Sequence, residues 1–392
     1  MDDMTSMPRP QPSGRRSVAL LLQGGGALGS YQAGVYEALA DTPWQPDWVA
    51  GISIGAINAA IIAGNARERR VERLTAFWEG ITDPPAFWPV AEGGLAPFFP
   101  ESREAGALSA LLFGQPGFFA PRPLLEWFRR PLPVSFYDTA ALKSTLERLV
   151  DFDRINARET RFSVGAVNVR SGNFIYFDNT PAQAKPATHI RAEHVMASGA
   201  LPPGFPPIEI DGQHYWDGGL VSNTPLQYVL DTEPRESRIA FEVDLFPARG
   251  PVPATLPESQ EREKDIRYSS RTRAGVDSFK RMHDVRVNIS ALWEKLPEEL
   301  RATPEAQYLR SLGCATTMDV VELIYRPAEV QGQSKDYAFS RGTMRERWVQ
   351  GREDAAFVLH QAPWTAPFPP GVGVRRFDLL ARKKAAAVGA HV

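Results

Sequence analysis

Residues 17–22, Ser-Val-Ala-Leu-Leu-Leu, form an apolar run too short for a helix and stopped by the glycines Gly24, Gly25 and Gly26, which predicts a buried strand. From Ser30, Val35 and Leu39 recur at helical spacing beside the small residues Ala33, Gly34 and Ala38, as in a helix packed tightly on a sheet. A second unit repeats the order: a strand over 48–51, a turn at Gly51-Ile52-Ser53-Ile54-Gly55, and the start of a small-residue helix over 56–64. Two strand–turn–helix units so close together imply a parallel sheet with helices on its faces. Further on, "RFSVGAVNVRSGNFIYFD" (161–178) has two runs of β-formers around Ser171-Gly172-Asn173 and predicts a hairpin.

Residues 84–137 break the pattern. Phe87, Trp88, Phe98, Phe99, Phe118, Phe119, Trp127 and Phe128 are interleaved there with proline and glycine. The favoured expectation is an irregular subdomain burying its own aromatics; the sharper one is a lid or an apolar substrate channel. Past residue 233 the character changes again. Residues 245–275 are proline-rich and then charged, 265–300 predict helix, 317–325 a strand and 340–361 a helix. The expected organisation is a disordered segment over 1–16, one α/β domain over 17–240, and a C-terminal α+β extension over 241–392 whose basic end is a solvated tail.

Composition narrows the class. With 43% hydrophobic and 23% charged residues the chain is that of a globular protein, and a net charge of −2 offers no global attraction to nucleic acid. The single cysteine, Cys314, excludes an intrachain disulfide and a four-thiolate zinc site, which fits a reducing, cytoplasmic compartment. No apolar run approaches the ~20 residues of a membrane span. Arg15-Arg16 precedes an apolar run that passes straight into the glycines, without the cleavage site of an export signal.

Two glycine loops carry the candidate chemistry. Gly24-x-Gly26-x-x-Gly29 satisfies a dinucleotide fingerprint, yet the acidic residue expected ~20 positions on is missing, since Asp47 precedes the second strand. No Gly-Lys-Ser/Thr follows, so a Walker loop fails too. Gly51-x-Ser53-x-Gly55 between strand and helix suits a sharp turn that presents a serine hydroxyl at the carboxyl edge of the sheet; the alternative is a helix N-cap. Both loops open on one edge, so amides of Gly24 to Gly26 can face an oxyanion formed at Ser53, each donor contributing ~3–4 kcal/mol in a dry site. For a base, six histidines are available, but Ser53 follows only the second strand and Gln23 stands where an α/β-hydrolase usually has histidine. Asp217, in "YWDGGLVSNTPL" (215–226), is the better candidate: at a chain reversal beside aromatic surface, desolvation raises its pKa and makes it a stronger base. An exposed turn aspartate is the alternative.

Together the blocks Gly24-Gly25-Gly26-Ala27-Leu28-Gly29, Gly51-Ile52-Ser53-Ile54-Gly55 and Asp217-Gly218-Gly219, with "ASGALPPGFPPIEIDGQHYWDGG" (197–219), resemble the patatin-like phospholipase family in order and spacing. The resemblance covers about residues 17–230. It implies a three-layer α/β/α fold and a serine acyl hydrolase with a Ser53/Asp217 dyad, an oxyanion hole at Gly24 to Gly26, and no metal or organic cofactor. The implied partner is a lipid or other acyl ester, with peripheral membrane contact and no nucleic acid. Stored polyester, lysophospholipid and a non-catalytic regulatory role stay open beside phospholipid. Leu28 stands where many members carry a basic residue, which weakens the expected preference for an anionic head group.

Overall fold

The structure is a computed structural model that describes residues 16–82, 103–128, 130–181, 186–269 and 272–381. The expected disordered start, the first part of the aromatic stretch with Phe87, Trp88, Phe98 and Phe99, and the basic tail lie outside the described residues.

A central sheet organises the chain. Its strands are β1 (Ser17–Leu22), β2 (Trp48–Gly51), β5 (Arg161–Asn168), β6 (Phe174–Asp178), β7 (Ile208–Ile210), β8 (Gln213–Asp217), β9 (Arg238–Asp244), β10 (Met318–Ile324) and β11 (Val374–Phe377); β3 (Ala120–Pro121) and β4 (Tyr137–Asp138) form a separate small ribbon. The order across the sheet is β11-β10-β9-β1-β2-β5-β8-β7, with β6 also on β5. From β11 to β5 every pair is parallel, and β6, β7 and β8 run antiparallel to their neighbours.

β1 shows why its sequence is apolar throughout. Val18, Leu20 and Leu22 enter a large core on one face, and Ala19 and Leu21 enter a second core on the other. A strand covered on both faces has no polar side to alternate with, and each fully buried leucine contributes about 1.5–3 kcal/mol. The first face is covered by α1 (Gly29–Ala40), α2 (Ile54–Ala63) and α3 (Arg70–Ile81), the second by the helices Leu226–Asp231 and Thr272–Trp293. The fold is therefore the expected three-layer α/β/α arrangement with a mostly parallel sheet.

The C-terminal residues add β10 and β11 to the same sheet, and the helix Arg341–Gln361 lies along α1. Small residues permit that approach: a Cβ on Gly34 would lie 1.9 Å from the Trp348 carbonyl oxygen, and one on Gly351 2.1 Å from that of Tyr31. The helix expected over 265–300 is divided. Leu256–Tyr268 starts earlier, where Thr255 and Glu258 form a capping box, and Thr272–Trp293 and Glu298–Arg301 follow. Among the described residues no helix is long and apolar enough to cross a membrane.

Candidate active site

Ser53 stands at the end of β2, where Gly51 pairs with Val164 of β5. Its backbone is left-handed, φ 55° and ψ −123°, and α2 starts at the next residue. A non-glycine residue held there stores strain, which persists only when the surroundings fix it. Close backbone contact does so: a Cβ on Gly51 would lie 2.2 Å from the Gly55 carbonyl oxygen, and one on Gly55 2.2 Å from that of Leu22. Ser53 N–H donates to Ser198 Oγ at 3.0 Å, and Ser198 Oγ–H donates to the Gly165 carbonyl at 2.6 Å. The Ser53 side chain makes no capping bond, so the N-cap alternative does not describe it.

Asp217 ends β8 opposite Ala166 of β5. β6 and β8 both pair with Ala166 and Val167 and so lie on opposite edges of β5, whereas β6 and β2 both pair with Ser163 and Val164. β2 and β8 therefore share one edge of β5 and run toward each other, ending on either side of Gly165. That register sets the two residues side by side on the cavity wall, close enough for the Ser53 side chain to pull the Asp217 carboxyl down. Gly219 N–H donates to Asp217 Oδ1 at 2.7 Å. Asp217 is 2% exposed, not the solvated turn residue of the alternative reading. Burial pushes its carboxyl up to about 7, against the pull of the Ser53 side chain and the Gly219 N–H.

The first glycine loop lies over this pair. A Cβ on Gly24 would meet Asn223 Oδ1 at 2.4 Å and Ser53 Cβ at 3.0 Å. Gly24 N–H donates to the Asn223 carbonyl at 3.2 Å, and Asn223 Nδ2 donates to the Gly24 carbonyl at 3.0 Å, so Gly24 is tied to the Asp217 loop. Among the described residues no acceptor is paired with the N–H of Gly25 or of Gly26. Gly26 has φ 54°, and a Cβ there would lie 2.2 Å from the Asp336 carbonyl oxygen. Gln23 fixes the base of the loop: its Oε1 accepts from Leu245 N–H at 2.6 Å and Phe246 N–H at 3.1 Å, and its Nε2 donates to the Tyr268 carbonyl at 3.2 Å. Gly29 lies under Ile54, and Gly218 lies against the Gly165 carbonyl, where a Cβ would be 2.6 Å away.

Ser53 and Asp217 line a cavity of about 420 Å³ whose walls are mainly apolar. Phe118, Phe119, Phe205 and Phe339 pack edge-on or tilted at 5.2–6.3 Å on one side. Of the aromatic stretch, Phe118 and Phe119 are buried and line this cavity, while Trp127 and Phe128 are exposed. No histidine lines the cavity among the described residues. Ser198, Asn223 and Asp336 were not singled out from sequence: the first two sit inside the quoted blocks as ordinary polar residues, and Asp336 reaches the loop only through the fold.

The family model described as patatin-like phospholipase matches residues 20–230, and a second, described as patatin phospholipase, matches residues 266–371. No curated protein matches. Among solved structures, VipD from Legionella pneumophila aligns over 88% of this chain and 67% of its own, at 13% identity and a TM-score of 0.35, too low to bear on the fold or the chemistry. The first family model spans more than half of the chain, from β1 through the glycine loop and the Ser53 turn to the Asp217 loop, and the chain belongs to the patatin-like phospholipase family.

Proposed function

We propose that the chain is a serine acyl hydrolase that cleaves fatty acyl esters of lipids with Ser53 as nucleophile and Asp217 as base. The observation that carries the reading is the placement of Ser53, at a strained turn, beside the buried Asp217 on the wall of an apolar cavity. Asp217 takes the hydroxyl proton as Ser53 Oγ attacks the acyl carbonyl. The tetrahedral oxyanion is stabilised by the N–H groups of Gly25 and Gly26, while Gly24, its own N–H engaged by Asn223, holds the loop in place. Collapse expels the alcohol, which leaves with the proton from Asp217. Water then attacks the acyl-enzyme as Asp217 accepts its proton, and the free acid is released as the proton returns to Ser53.

A carboxylate held near neutrality by burial suits both roles. It is ionised often enough to accept a proton and acidic enough to return it. The cavity wall of Phe118, Phe119, Phe205 and Phe339 suits an acyl chain. Ser53→Ala should lower the rate on a soluble nitrophenyl ester by about 10⁴-fold or more with an unchanged circular dichroism spectrum. A folded variant with full turnover would overturn the reading. A panel of phospholipids, lysophospholipids and hydroxyalkanoate esters then ranks the substrates.

A further inference from the structure

Among the described residues, large apolar side chains exposed to solvent are densest between Leu108 and Phe136. Leu124 is 78% exposed and Phe128 79%, and Leu125 and Val134 stand out beside them. The segment is built rather than loose. Tyr137 Oη–H donates to the Leu111 carbonyl at 2.8 Å, joining the β3–β4 ribbon to the helix Arg103–Phe113, and Trp127 stacks on Phe136 with centroids 5.9 Å apart. Phe136 N–H and Tyr137 N–H donate to the carbonyls of Pro203 and Gly204, which fixes the ribbon to the block before Asp217. Leu111 and Phe136 are exposed on the outside and line the cavity on the inside, so the patch is continuous with the wall around Ser53.

We propose that this rim, Leu124, Leu125, Phe128 and Val134 with Leu111 and Phe136, docks on the surface of aggregated lipid and delivers the substrate's acyl chain to the cavity. The proposal rests on the acyl-hydrolase reading for its choice of occupant. A chain entering through a rim seated on lipid passes from one apolar medium to another, whereas a rim held in water makes it cross solvent with its apolar surface exposed. A protein partner seated on the same residues closes the mouth that the substrate needs. Exposed apolar side chains that insert at a lipid boundary gain the same transfer energy for the protein.

The test uses the full chain. In a Ser53→Ala background, which leaves vesicles intact, flotation with phosphatidylcholine vesicles is compared with and without Leu124→Ser/Phe128→Ser; neither residue lines the cavity. The parent should float with the vesicles, and the double change should lower partitioning about tenfold or more. With Ser53 restored, the double variant should keep its rate on a soluble ester and its melting temperature while its rate on vesicles falls. Equal binding by the double variant, no binding by the parent, or a parent dimer that the double change makes monomeric would overturn the proposal, the last by assigning the rim to a second copy. Loss of soluble-ester hydrolysis in every form with vesicle binding intact would instead sink the acyl-hydrolase reading and leave the docking in place.

Discussion

In the proposed mechanism Asp217 concentrates the chemistry and one of its costs. Its carboxyl titrates near 7 in the folded chain because burial disfavours the charged form, and near 4 when unfolded. As the proposed base it works ionised, so kcat/KM on a soluble ester should rise tenfold per pH unit below about 7 and level off above; a profile flat from pH 5 to 9 would contradict the role. A folded-state value above the unfolded one means that the stability associated with this group is fully present below pH 4 and is lost as pH rises through 7. Asp217→Asn, inactive but unable to ionise, should therefore melt with wild type at pH 4 and above it at pH 8, by up to about 4 kcal/mol in stability. Thermal melts at the two pH values check this, and a variant less stable than wild type at pH 8 would contradict it. Ser53 was legible because it sits in a glycine-flanked turn after an apolar strand, and Asp217 because two glycines follow it at a chain reversal beside Tyr215 and Trp216. Ser198 and Asn223 were not, since a serine or asparagine in a loop is ordinary until its hydrogen bond to the site is known.

Elements with a period were legible for a physical reason: β1 and β2 are covered on both faces and must be apolar throughout, and α2 must be small to lie against the sheet. The β2–Ser53–α2 turn followed from its glycines, which close backbone contacts require. What the local pattern did not carry was the register that sets β2 and β8 end to end on one edge of β5. The glycine loop also depends on a distant segment. Gly26→Ala places a methyl against the Asp336 carbonyl and strains a left-handed residue, so the loop must move. Displacing a donor from the oxyanion should lower kcat by about 10²-fold or more with KM little changed. Steady-state kinetics on the folded variant measure it, and an unchanged kcat would remove Gly26 from the oxyanion site.

Across the whole molecule, the region after residue 240 contributes to the sheet, to the first core and to the cavity. β10 pairs with β9, the helix Arg341–Gln361 packs on α1, and Tyr268, Asp336, Tyr337 and Phe339 line the cavity. The Lys264–Asp336 pair at 2.6 Å and the Lys335–Asp265 pair at 2.5 Å tie these segments together beside the glycine loop. A chain ended at residue 250 would leave β9 as an unpaired apolar edge, and it should be recovered only as aggregate. A monomeric, folded 1–250 fragment by gel filtration and circular dichroism would contradict that. None of this integration was visible in sequence, because the strand over 317–325 announces its apolar run but not its neighbour. In the proposed function Ser53 is an activated nucleophile. That role is tested most directly by treating the wild-type chain with a fluorophosphonate and locating the adduct by peptide mass spectrometry: a single adduct on Ser53, absent from Ser53→Ala and formed more slowly below pH 7, is the expected result, and a folded chain that takes up no label at Ser53 would contradict it.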